Sequence, residues 1–309
     1  MRDSIRLTFR MHRFEVLAIA TATLLLVLAA YVVAARLEAV GFGPCAGAQG
    51  PWSPRCESLA KVFFGIAQSE GTAVLGLIAV LPYAAGLILG GPLIAREIER
   101  GTTRLAWSIS PSRLRWYLAR MLPIVAVVFA LMFAAGSAAD HLFAAQEPRL
   151  DTANAFDLYG VRGSLIALEA LVMTAGAIGL GAVTGRVLPT LILALILGAV
   201  GVTGVATLHA RYTATEAILV DGEFVDSGAR WVDQFFRLPD GRLVSWNELE
   251  EIDPGILTSE TGPDYPIVSK VIPGERYREV EAREMIILGA IAFMMLAGTA
   301  VIIQRRRPG

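Results

Sequence analysis

The sequence predicts an all-α polytopic membrane protein. Six transmembrane helices are expected, with a short amphipathic helix before the first and a small mixed α/β segment between the fifth and sixth. Three observations predict this. The 309 residues are 55% hydrophobic and only 18% charged, with a mean hydropathy of +0.57, where a soluble chain carries about 25% charged residues. Six apolar stretches reach or approach the roughly 20 residues needed to cross a hydrocarbon core of about 30 Å. The basic residues are segregated into alternate connecting segments.

The first stretch, Phe14–Ala35, follows the basic segment "MRDSIRLTFRMHRFEV". It is too long for the 7–15-residue core of a signal peptide and reads as a retained helix. The others are Thr72–Ala95, Met121–Ala139, Ser164–Val183, Val187–Leu208 and Met285–Ile303. Only "TGRV" parts the fourth from the fifth, so those two form a tight hairpin. Pro82 and Pro123 are candidate bends, which neighbouring helices can absorb. The domain boundaries follow: 1–13 amphipathic, 14–210 the first five spans, 211–283 a segment beyond the membrane, 284–309 the last span and a basic tail.

Orientation follows from Arg and Lys in the flanks. With the N-terminus inside, the inner segments hold fourteen basic residues and the short outer loops five; the remaining eight lie in 211–283. Both termini are therefore expected in the cytoplasm. Cys45 and Cys56 then share an outer Gly/Pro-rich loop, where they form a disulfide or remain two buried thiols. Residues 211–283 carry fifteen acids and eight bases. Hairpins are expected at Asp221-Gly222, joining Ile218–Val220 to Glu223–Val225, and around Pro239-Asp240-Gly241. Ser245 and Glu248 form a capping-box pattern before a short helix. Prolines 263, 266 and 273 then break the chain, and a charged helical stalk from Glu275 enters the last span.

The stretch "REIERGTTRLAWSISPSRLRW", residues 96–116, is far longer than the two to eight residues that usually join neighbouring helices. Gly101 ends the incoming helix, Thr102 or Thr103 caps a short new one, and Ser110-Pro111 starts the third span. The product is a short helix lying across the membrane face, so that the stretch presents acids (Glu97, Glu99), arginines (Arg100, Arg104) and Trp107 there, with Arg113, Arg115 and Arg120 in the first turns of the third span. Singly, such a tryptophan serves as an interfacial anchor and such arginines set topology.

The order of these residues resembles the coupling segment of type-2 ABC transporter permeases. It is closest to an actinobacterial branch with a G-x-P-L-x-A-R-E-x-E-x-G-T run, here "GGPLIAREIERGT", Gly90 to Thr102. "LTFRMHRFEVLA" is similar to the elbow helix that precedes the first span in these permeases. "GLGAVTGRVLPTLILAL" resembles their fourth-to-fifth hairpin, and "VIPGERYREVEAREMII" their entry into the sixth span. The resemblance implies that 96–116 is a coupling helix docking on a separate ATP-binding subunit. Glu97, Glu99, Arg100, Gly101, Thr102, Arg104 and Trp107 would make the contact, and Ser110, Pro111 and Arg113 would start the third span. It further implies a second permease copy or a homologous permease, a bacterial cell membrane, and export of a hydrophobic or amphipathic compound such as a peptide, antibiotic or lipid.

The chain contains no G-K-[ST] run: Lys61 follows Ala60 and Lys270 follows Ser269. A phosphate-binding loop needs that lysine, so ATP and Mg are expected on the partner and no cofactor or metal on this chain. No H-E-x-x-H or G-x-S-x-G occurs, so no enzymatic role is expected, and nucleic acid is not among the expected partners. Glu169, inside the fourth span, lines a pathway or bonds to a neighbouring helix. Glu15 is placed to pair with a nearby arginine such as Arg13 or Arg10, from the same or the next segment, and Asp140-His141 reads as a solvated helix end. The alternative function is a non-transporting sensor or scaffold displaying 211–283 outside.

Overall fold

The computed structural model describes residues 2–46, 51–109, 112–213, 216–222, 228–252 and 265–306. It is mostly helical and divides into two compact units: Met1–Arg149 with Leu158–Gly201 and Glu281–Gly309, and Leu150–Asp157 with Val202–Val280.

In the larger unit, α1 (Arg2–Met11) is followed at once by α2 (Arg13–Val40). Gly41 ends α2 in the left-handed conformation, φ 68°, its N–H bonded to the Glu38 carbonyl. After α3 (Gly43–Ala46), Ser53 and Pro54 start a helix that runs unbroken to Glu99. It comprises α4 (Pro54–Ile66), α5 (Thr72–Ala85) and α6 (Gly91–Glu99), joined by π turns at Ala67–Gly71 and Gly86–Gly90. The helix that carries the second apolar stretch therefore begins well before Thr72. Ser53 caps it, its Oγ accepting from the Cys56 N–H at 3.3 Å, and proline at the first helical position suits such a start. Then come α7 (Thr102–Ile109), α8 (Arg113–Gln146), α9 (Leu165–Thr184) and α10 (Val187–Thr213). The last helix is α12 (Tyr277–Arg305).

Among the described residues five helices are long and apolar enough to cross a membrane: Arg13–Val40, Pro54–Glu99, Arg113–Gln146, Leu165–Thr184 and Gly274–Arg305. The apolar part of α10, Val187–Gly201, is shorter than that among the described residues. The π turn at Gly86–Gly90, just before α6, approaches α9 closely. A Cβ on Gly90 would stand 2.8 Å from the Thr174 carbonyl oxygen, so the first glycine of "GGPLIAREIERGT" is required by helix–helix approach, as small residues are in membrane interiors.

The smaller unit holds an antiparallel sheet of order β1-β4-β2-β3: β1 (Ile218–Asp221), β2 (Arg230–Arg237), β3 (Leu243–Val244) and β4 (Ile267–Ile272). β1 pairs with β4, Ile218 opposite Val271; the arm Glu223–Val225 expected to pair with β1 lies outside the described residues. One expectation is corrected. The stretch expected to be broken by prolines holds β4, one of the two inner strands, because Pro266 and Pro273 bracket it instead of interrupting it; Pro263 lies outside the described residues. The second hairpin forms, with Phe236 opposite Val244 and Gly241 at φ 85°.

α11 (Trp246–Ile252) starts with Ser245 and Glu248 bonded reciprocally, Ser245 N–H to Glu248 Oε2 at 2.8 Å and Glu248 N–H to Ser245 Oγ at 3.4 Å. Its Leu249 packs with Phe236, Leu238 and Val244 in the core of this unit. Residues 150–157 also belong here: the Phe156 N–H donates to the Gly228 carbonyl at 3.0 Å, and its ring meets Tyr277 edge-on at 5.3 Å.

Candidate coupling site

The expected coupling stretch folds as a helix–turn–helix–helix corner. Arg100 ends α6 and Gly101 reverses the chain at φ 68°, a conformation that costs an L-residue about 1–2 kcal/mol. The Thr102 hydroxyl reaches back to the Glu97 carbonyl at 3.1 Å, tying the start of α7 to the end of α6. On α7 the buried Thr103 and half-buried Trp107 face inward, whereas Thr102, Leu105 and Ser108 are exposed. Leu105 is 66% exposed, an apolar side chain on the outward face of a short helix. Arg104 lies on this helix, its side chain outside those described. Ser110 and Pro111 are outside the described residues, and the cap of α8 is Ser112, whose Oγ accepts from the Arg115 N–H at 3.2 Å.

Beneath this corner lies a buried polar network. Glu97, expected at the contact surface, is 3% exposed. It points inward, its Oε1 3.0 Å from Arg120 Nη2, with the Trp116 indole against the same carboxylate. Arg120 also donates from Nη1 to Thr8 Oγ1 at 3.2 Å, which brings in α1. Next to it Arg96 Nη1 pairs with Glu15 Oε1 at 2.8 Å, so the partner of Glu15 is neither Arg10 nor Arg13. His12, at the α1–α2 joint, is buried beside these groups. Burial holds its pKa below the ordinary 6.5, against Glu15, which raises it, and with Arg96 and Arg120, which lower it.

Two further residues tie the corner to distant helices. Glu99 accepts the Val187 N–H at 3.0 Å, capping the start of α10, where a carboxylate is favoured by the helix dipole. Arg113 donates from Nη1 to the carbonyls of Gln304 at 3.0 Å and Arg306 at 2.6 Å, satisfying the end of α12. The same guanidinium lies 4.6 Å over the Trp107 ring, and Trp107 meets Trp116 edge-on at 6.0 Å. Trp107 is thus an internal anchor of α7. Sequence reasoning placed Arg120 at the headgroup level and gave no role to Arg96, Thr8 or Trp116. The only signal for them was the pairing need of charges close to spans.

The remaining candidates lie elsewhere. Glu169 sits near the start of α9, electrostatically coupled to Glu284 and Tyr83, and a Cβ on Gly160 would come within 3.1 Å of its Oε1. Glu284 in turn accepts from the Tyr159 hydroxyl. Cys45 and Cys56 are joined as a disulfide. Asp140 lies 3.7 Å from Arg162, and the His141 ring packs tilted against Tyr31, centroids 4.7 Å apart. Among the described residues no three His, Cys, Asp or Glu side chains are grouped to hold a metal.

No curated protein and no solved structure matches the chain. The family model described as ABC-2 membrane transporter related matches residues 16–211, which runs from α2 through most of α10 and includes the whole corner built around α7. With five helices able to cross a membrane, this is a multi-pass membrane protein that belongs to the ABC-2 membrane transporter related family.

Proposed function

We propose that this chain is the transmembrane subunit of an ATP-binding cassette exporter, powered by a separately encoded ATPase that carries ATP and Mg. The observation that carries the reading is α7. It is a short helix set between two spans, exposing Leu105 and rooted by Trp107, Arg113 and the Glu97–Arg120 pair. Such a lever suits transmission of ATP-driven closure from a docked subunit to the spans. The docking surface in this reading is Arg100, Gly101, Thr102 and Leu105, with Arg104 from the same helix; Glu97, Glu99, Trp107 and Arg113 position it. α10 is the fifth of six spans, α12 carries the sixth and α1 is the elbow; both termini are cytoplasmic in a bacterial cell membrane, and a second copy or a homologous permease completes the pathway. The cargo is a hydrophobic or amphipathic compound such as a peptide, antibiotic or lipid, and Glu169 faces its path.

The test is purification of the tagged protein from its native membrane in mild detergent. Leu105→Asp and Gly101→Trp should lose a co-purifying ATP-binding subunit while the chain itself still folds. If no ATP-binding subunit accompanies the parent protein and a partner of the 211–283 segment does, a sensor or scaffold replaces the exporter.

A further inference from the structure

Where α1 crosses α8 an open groove of about 480 Å³ is lined by apolar side chains. Phe9 forms one wall, and Leu118, Leu122, Pro123, Ala126 and Ala130 of α8 form the other. The sequence builds it. Pro123 has no N–H to give the Ala119 carbonyl, and the Thr8 hydroxyl takes up that carbonyl at 3.5 Å, seating α1 against α8. The small side chains at 126 and 130 leave the space open. From Leu118 to Ala130 the helix rises about 18 Å, close to the depth of one bilayer leaflet, about 15 Å.

The charges that flank the lining residues in sequence are one-sided. Glu15 and Glu97 are neutralised by Arg96 and Arg120. Arg10, next to Phe9, and Arg115, one helical turn before Leu118, are exposed, as is Arg13. Among the described residues none of the three has a carboxylate partner.

We propose that this groove is a binding site for an anionic diacyl phospholipid. One acyl chain lies along α8 between Phe9 and Ala130, and the phosphate sits among Arg10, Arg13 and Arg115. The site needs only that α8 is embedded in a membrane and is independent of the docking role proposed for α7. Anionic selectivity follows from the arginines, each worth about fivefold in affinity for an anionic surface, and retention follows from the acyl slot.

The full-length protein in neutral detergent is mixed with dioleoyl phosphatidylglycerol or dioleoyl phosphatidylcholine, and retained lipid is counted by native mass spectrometry. Expected is one retained phosphatidylglycerol per chain, preferred over phosphatidylcholine. Arg10→Gln with Arg115→Gln should cut that preference by more than about tenfold. Ala126→Phe, which projects a ring into the groove, should abolish retention of both lipids; Ala130→Phe serves should that variant not fold. Equal retention of the two lipids by the parent overturns the proposal, as does retention unchanged by the ring. Stabilisation by glycerol 3-phosphate equal to that by the lipid would identify a free phosphate site instead. A dimer that Ala126→Phe splits, with no lipid retained, would make the occupant a second copy and likewise overturn it.

Discussion

Glu97 and Arg120 form an ion pair between α6 and α8, Oε1 to Nη2 at 3.0 Å, with side chains 4% and 9% exposed. A glutamate inside a charged loop of the sequence is thus an internal strut. Removing one member of a buried pair leaves the other uncompensated, at a cost of about 3–5 kcal/mol. Glu97→Ala is therefore expected to lower the thermal unfolding midpoint of the purified protein substantially. Replacing both residues with methionine should recover most of that loss. If Glu97→Ala unfolds at the parent's temperature, the pair does not hold the corner together.

Arg113 is expected to govern the end of α12. Its guanidinium serves the carbonyls of Gln304 and Arg306, and hydrogen bonds from a charged group contribute about 1.5–3 kcal/mol each. Arg113→Ala should speed amide exchange in the last turn of α12 by about tenfold or more, with little change at its first turn. Unchanged exchange at that end would show that other contacts hold it.

Legibility in the sequence varied with the kind of signal. Long apolar runs located every large helix, because burial in lipid acts on each residue independently of its neighbours. Gly101 was legible as a helix stop and Ser245 with Glu248 as a helix start, since both are local devices. The Ser53-Pro54 start escaped notice because seventeen residues of mixed polarity follow it before Thr72, and only the packed structure carries the helix through them. β4 was hidden by prolines that stand at its two ends. The inward turn of Glu97 and Trp107 was not legible, because their partners Arg120, Trp116 and Arg113 lie on another helix and which face of the short α7 is covered is decided by tertiary packing.

His12 gives the larger unit a pH dependence. Burial depresses its pKa below 6.5, with Arg96 and Arg120 acting in the same sense and Glu15 opposing them. A histidine depressed in the folded state binds its proton more readily unfolded. Its contribution to stability is therefore whole above pH 6.5 and is lost as pH falls through the lower, folded value. The unfolding midpoint of the parent should drop between pH 7 and 5 more steeply than that of His12→Gln. Parallel curves would show that other groups carry the acid sensitivity.

The disulfide between Cys45 and Cys56 closes a short loop of sequence separation 11 around the connection from α2 to α4. A cross-link of that span restricts the unfolded chain by about 3 kcal/mol at most, less any strain. Its effect should stay local, because Phe42, beside Cys45, packs on Phe63 at 4.9 Å and on Trp52 at 5.6 Å, and those rings hold the loop in place when the bond is cut. Among the described residues there is no free cysteine, and the sequence has only these two. Maleimide should therefore label the native protein only after reduction, and then at two sites. Cys45→Ala with Cys56→Ala is expected to lower the unfolding midpoint modestly while exchange in α8 and α9 stays at the parent's rate. Loss of protection in those two helices would mean that the disulfide organises the whole unit and not its α2–α4 corner alone.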